Sequence, residues 1–317
     1  MSPDTEGPLA APRKEWTRMR FNLKLTNENK QMGALSAGLA GIVLALAGPG
    51  GAGLAQDRPV APQSGGTQPT YADLVTLAEE SAMVIRAQIR DQVPVKPERA
   101  PGLEPGFARL YVEGETRALL GGSSGVRESL AWLVDVPLDA KGKPPKLKKS
   151  EVLLFADPVP GRPGTIVLVD EAGQLAWNPA LGERVRGVLR ELVAPGSPPA
   201  ITGIADALSV RGNLAGESET QIFLSTAGDS PVSISVLRRP GQPPAWGVSW
   251  GEIIDSSARP PEPGTLRWYR LACALPRELP SSANLARNPD ARALAEADYA
   301  LVVAELGACE RAITEAD

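Results

Sequence analysis

Five lysines crowd into nine residues of this chain: Lys141, Lys143, Lys146, Lys148 and Lys149. Only one other lysine, Lys96, follows residue 55. Ammonium groups at that density attract anionic polymers, lipid headgroups or an acidic protein by Coulomb force. Pro144 and Pro145 stand among them, forbid a regular helix and remove two backbone donors. The spacing therefore predicts an exposed loop between two strands. The plainer role of such a loop is to keep a hairpin soluble.

A second group is aromatic. In a strand over 245–254, Trp246, Val248, Trp250 and Glu252 share one face, because side chains alternate with period two. In a strand over 265–275, Leu266, Trp268 and Arg270 do the same. Were the two strands paired, the indoles would make a flat stacking surface beside an acid–base pair, suited to a saccharide or peptide. The alternative is a tryptophan-rich core closed by Glu252 and Arg270 at its rim.

Other chemistry is excluded or weakly signalled. The chain has no histidine, so it has no Ser-His-Asp or Cys-His site and no imidazole ligand for a metal. Two cysteines cannot make a four-thiolate site. No metal or cofactor is expected. Gly121-Gly122-Ser123-Ser124-Gly125 fits the G-x-S-x-G pattern of hydrolases. With no base near Ser123 in sequence, it reads as a flexible turn. Glycoside hydrolysis needs only two carboxylates, and Glu252, Asp255, Asp170 and Glu171 are available. No spacing singles out a pair, and Asp170 and Glu171 read as turn residues.

The elements that must carry these groups follow from periodicity. A helix is expected over 71–92, with Thr70 as N-cap and Asp73 three residues on. Strands are expected near 106–120, 129–138, 150–157, 164–170 and 173–178. Asn178-Pro179 then opens a helix, Asn capping and Pro at the first helical position, where its missing N–H costs nothing. The segment 194–199 resembles a linker. The order repeats beyond it: strands near 201–211, 217–227, 231–239, 245–254 and 265–275, then a helix opened by Asn288-Pro289 and running to about 314. Strands bunched without alternating helices imply mainly antiparallel sheet. The expected class is α+β: two β-meander halves, each followed by an Asn-Pro-capped helix, with an additional N-terminal helix. The globular region is 71–317, divisible into lobes 71–194 and 201–317.

Cys273 falls on the apolar face of the expected strand 265–275 and Cys309 on that of the last helix. Their compartment decides their state. Residues 34–47 are fourteen consecutive small or apolar residues, preceded by Arg20, Lys24 and Lys30. Gly53 and Ala55 occupy the −3 and −1 positions of a signal peptidase site. The run is short for a membrane span, which takes about 20 residues. The layout predicts a signal peptide over 1–55, cleaved after Ala55, then a Pro/Gly-rich disordered tether over 56–70. Translation from Met19 in place of Met1 gives a more ordinary signal. Export to an oxidising compartment predicts a Cys273–Cys309 disulfide.

Residues 1–55 carry six Lys/Arg and four Asp/Glu, so their removal shifts the formal charge from −4 to −6. That balance argues against general nucleic-acid binding. Alanine-, glycine-, proline- and arginine-rich composition points to a bacterial source, hence to periplasm or medium. The reading that results is an exported, non-enzymatic binding or interaction protein of the cell envelope. It would engage an envelope protein or anionic polymer and keep no membrane span after cleavage. A carboxylate-dependent hydrolase of envelope glycans, or a structural or accessory subunit of an envelope complex, are the alternatives.

Overall fold

The computed structural model describes residues 67–122, 125–228, 230–254 and 257–315. The expected signal peptide, tether residues 56–66, Ser123 and Asp255 lie outside these. The described residues form two compact units, one over Leu77–Pro198, the other combining 67–76 with 199–315. The protein is α+β, with two antiparallel sheets and an N-terminal helix.

The first helix, α1, spans Tyr71–Glu80. Its start is a reciprocal capping box. The Asp73 N–H donates to Thr70 Oγ1 at 3.1 Å, and the Thr70 N–H donates to Asp73 Oδ2 at 2.7 Å. The helix is shorter than the expected 71–92. Residues Met83–Pro94 form strand β1 instead. Ile85, Ala87 and Ile89 are buried while Arg86 and Gln88 between them are half-buried. Both periods fit that stretch on paper. Pairing with two neighbouring strands selects the extended form, which β-branched Val84, Ile85 and Ile89 also favour.

In the first unit, β1 is followed by β2 (Phe107–Gly122), β3 (Ser129–Pro137), β4 (Glu151–Pro158), β5 (Ile166–Leu168) and β6 (Gln174–Ala176). The order is β3-β2-β1-β4-β5, with β6 also on β4. Three consecutive strands with the fourth returning beside the first make a Greek key. A parallel bridge between Ala131 and Thr165 brings the two ends together, so the sheet curls into a partly open barrel. Its core holds Ile85, Ile89, Leu110, Val112, Trp132 and Leu154. The Trp132 indole N–H donates to Gln174 at 2.8 Å, as a buried indole requires. Helix α2 (Pro179–Val193) is capped by Asn178, which accepts from the Leu181 N–H at 2.8 Å. It lies close to β2: a Cβ on Gly121 would sit 3.0 Å from the Leu189 side chain.

In the second unit, β7 (Ile201–Arg211), β8 (Ser218–Thr226), β9 (Val232–Arg238) and β10 (Ala245–Ser249) form a meander in sequence order. Helices α3 (Leu266–Ala272) and α4 (Pro289–Leu306) follow. Asn288 caps α4 through the Asp290 N–H at 2.8 Å. Ile222, Ile234, Val236, Trp246, Trp268, Leu271, Tyr299 and Val302 belong to one core. Asp298 of α4 is fully buried. It accepts from Arg238 Nε at 2.5 Å and from the Thr220 hydroxyl.

The expected strand 265–275 is helix α3. Thr265 caps it, accepting from the Trp268 N–H at 3.3 Å. A threonine at the N-cap is the local signal for a helix start at this position. Strand β10 ends at Ser249, short of the expected 254, and α4 ends at Leu306, short of 314. Gly307, with φ of 74°, ends that helix, a backbone conformation glycine adopts without steric cost.

Candidate functional site

The lysine run is the β3–β4 connection, and it is tightly organised. The Asp139 carboxylate accepts from the Lys141 and Lys143 N–H groups at 2.9 and 2.8 Å. From β1, Gln92 donates to the Pro145 carbonyl at 2.8 Å and accepts from the Leu147 N–H. Leu147 packs onto the barrel core. Lys149 donates its N–H to the Ile89 carbonyl at 2.8 Å and takes a φ of 74°, a conformation that costs a non-glycine residue energy and needs support from its surroundings. The backbone is therefore fastened to β1 and to the core of the first unit.

The five lysine residues themselves are exposed. Among the described residues only Lys148 has an ion-pair partner, Asp91 at 3.4 Å, and both groups are well solvated. Such a pair contributes little. The loop thus holds five positive charges within nine residues of a hydrogen-bonded backbone.

The tryptophans are arranged otherwise than two paired strands require. Trp246 and Trp268 are core residues, buried from opposite elements. The Trp268 indole N–H donates to the Leu306 carbonyl at 2.8 Å. Arg270 is buried on α3, its guanidinium 5.8 Å from the Tyr269 ring. Trp250 lies beyond β10, half-buried, with Arg267 5.9 Å from its ring. Glu252 is exposed in the loop after β10. Glu252 and Arg270 therefore share no strand pair, and the expected face of Trp246, Trp250, Glu252, Trp268 and Arg270 does not form.

Asp170 is a turn residue, accepting from the Ala172 N–H at 2.6 Å. Gly122, with φ of 126°, sits so close to Ala82 that a Cβ would lie 2.7 Å from its carbonyl oxygen. Tight packing accounts for that glycine without a nucleophile turn. Among the described residues no three His, Cys, Asp or Glu side chains converge as a metal site. No described helix is long and apolar enough to cross a membrane.

Cys273 and Cys309 are joined in a disulfide, with Cα atoms 5.0 Å apart. Cys273 ends α3 and Cys309 follows α4. The bridge thus ties the exits of two helices where a strand and a helix were expected.

One group escaped the sequence reading. Arg239, Arg259 and Glu305 line a cleft of about 500 Å³ beside Trp246. They come from the β9–β10 turn, the segment before α3 and the end of α4, and no local spacing connects them. No protein-family model and no curated protein matches this chain.

Proposed function

We propose that this chain is an exported, non-enzymatic binding protein of the bacterial cell envelope, and that its lysine loop engages an anionic partner. The observation that carries the reading is the loop itself. Its backbone is anchored by Asp139, Gln92 and Leu147, while five ammonium-bearing residues face solvent. A rigid carrier loses little conformational entropy when a partner docks. Positive charge set against an acidic chain would attract that partner locally. The disulfide supports an oxidising compartment, and the apolar run at 34–47 supplies the export signal.

The test is retention of residues 56–317 on an immobilised anionic polymer, poly-glutamate, across a salt gradient. The native protein is expected to be retained at low salt and released as salt rises. Replacing all five lysines by glutamine should abolish retention and flatten the salt dependence. Equal retention of the two proteins would overturn the reading. A pull-down from envelope extract with the same pair of proteins then identifies the natural partner.

A further inference from the structure

The cleft beside Trp246 is large enough to admit a small molecule. Its volume of about 500 Å³ lies within the ordinary range of ligand pockets, about 300–1,000 Å³. Pro243, Pro244 and Pro260 supply apolar wall. Prolines are stiff, so such walls are set before a ligand arrives.

The wall carrying Arg259 and Pro260 is pressed against β10. A Cβ on Gly247 would lie 2.2 Å from the Ala258 carbonyl oxygen, so only glycine permits the approach. Arg259 is tethered to its own segment: its Nη1 donates to the Ser257 and Ala258 carbonyls at 2.9 and 3.3 Å. Arg239, on the opposite turn, is exposed and has no ion-pair partner among the described residues. Glu305, the one acid among the described lining residues, has Oε2 engaged by the Trp246 indole N–H at 2.6 Å. The described lining residues thus comprise two arginines and one carboxylate that already has a donor, a positive excess.

We propose that this cleft binds a small oxyanion-bearing ligand with an apolar body. Arg239 and Arg259 recognise the oxyanion, since a guanidinium presents paired donors that match carboxylate or phosphate oxygens. The apolar part lies on the prolines and the edge of Trp246. The site is in a different unit from the lysine loop and does not depend on it.

The test uses residues 56–317 and three probes: N-acetylphenylalanine, phenyl phosphate and the neutral N-acetylphenylalanine amide. Binding is followed by NMR on the Trp246 indole N–H signal, identified by its displacement in Glu305→Gln. At least one anionic probe is expected to saturate that signal below about 10 mM, an ordinary weak affinity for a fragment. The neutral amide should bind about tenfold more weakly. Arg239→Gln and Arg259→Gln should each weaken the anion about five- to tenfold, and the five-lysine variant should bind as the native protein does. Saturation by the carboxylate alone, the phosphate alone, or both states which oxyanion the site takes. Absence of saturation by either anion, equal binding of the amide, or unchanged affinity in both arginine variants would overturn the proposal. Near-ultraviolet circular dichroism of the arginine variants separates lost binding from lost folding.

Discussion

Asp73 and Thr314, 241 positions apart, are joined twice: the Thr314 N–H and hydroxyl donate to Asp73 Oδ1 at 3.0 and 2.7 Å. The Ala312 N–H donates to the same carboxylate at 3.0 Å, and Thr70 donates from the other side. Arg311 also reaches the Thr76 hydroxyl. The beginning of α1 and the last described turn of the chain therefore close on one buried carboxylate.

This has a consequence in acid. Burial by itself would raise the Asp73 pKa, but the hydrogen bonds from Thr70, Ala312 and Thr314 outweigh it and lower the value to about 2. A depressed folded-state pKa contributes stability that is present above the unfolded value, near pH 4, and is lost as the pH falls toward 2. That lowering of the carboxyl pKa corresponds to about 2–3 kcal/mol. Urea unfolding between pH 7 and pH 2 should show that loss in the native protein. Asp73→Asn should be weaker by a similar amount at pH 7 and should lack the component due to this carboxylate. A variant with native stability at pH 7 would refute the account.

The disulfide encloses a sequence separation of 36. In the chain-entropy model a loop of that length contributes about 3–4 kcal/mol. Non-reducing peptide mapping should recover Cys273 linked to Cys309. Unfolding in the presence of dithiothreitol, or of the Cys273→Ser, Cys309→Ser double variant, should show a lower midpoint. The midpoint would be unaffected if the bridge were absent in solution.

Asp298 is buried against Arg238 and Thr220. Removing one member of a buried pair leaves a desolvated group without its counterpart, at a cost of about 3–5 kcal/mol. Arg238 is partly solvated, with 30 % of its side chain exposed, so Asp298→Ala should fall at the lower end of that range. In the same sheet, the Ser209 hydroxyl of β7 and the Ser218 hydroxyl of β8 are buried with no hydrogen-bond partner among the described residues. Ser218→Ala should therefore be neutral or slightly stabilising, because an unsatisfied hydroxyl is being removed. A double-mutant cycle on Asp298 and Arg238, read by thermal unfolding, measures their coupling directly.

Export is tested at the N-terminus. Protein recovered from the periplasm or medium of a bacterial host should begin at or near Gln56. Recovery of an intact N-terminus in the membrane fraction would mean that residues 34–47 anchor the chain.

Much of the architecture is encoded locally. Asn178-Pro179 and Asn288-Pro289 state their helix starts in two residues each, because the cap bond and the proline φ act within a single turn. Strands β3 and β8 alternate visibly, while β4 is a continuous apolar run. With only two cysteines present, their pairing had one solution. The lysine cluster, too, is a property of sequence alone.

Tertiary structure decided the rest. Residues 83–94 and 266–272 carry apolar patterns compatible with either period, so the partners available to them, rather than their propensity, chose strand for one and helix for the other. That choice moved Trp268 and Arg270 off the expected surface and into a helix. It also set Cys273 at a helix exit. Arg239, Arg259 and Glu305 are brought to one cleft by folding alone, and Gly247 matters there only because Ala258 crosses it. Such contacts span distant parts of the chain, where no periodicity reaches; hence composition and pattern located the charge, and only the fold located the cleft.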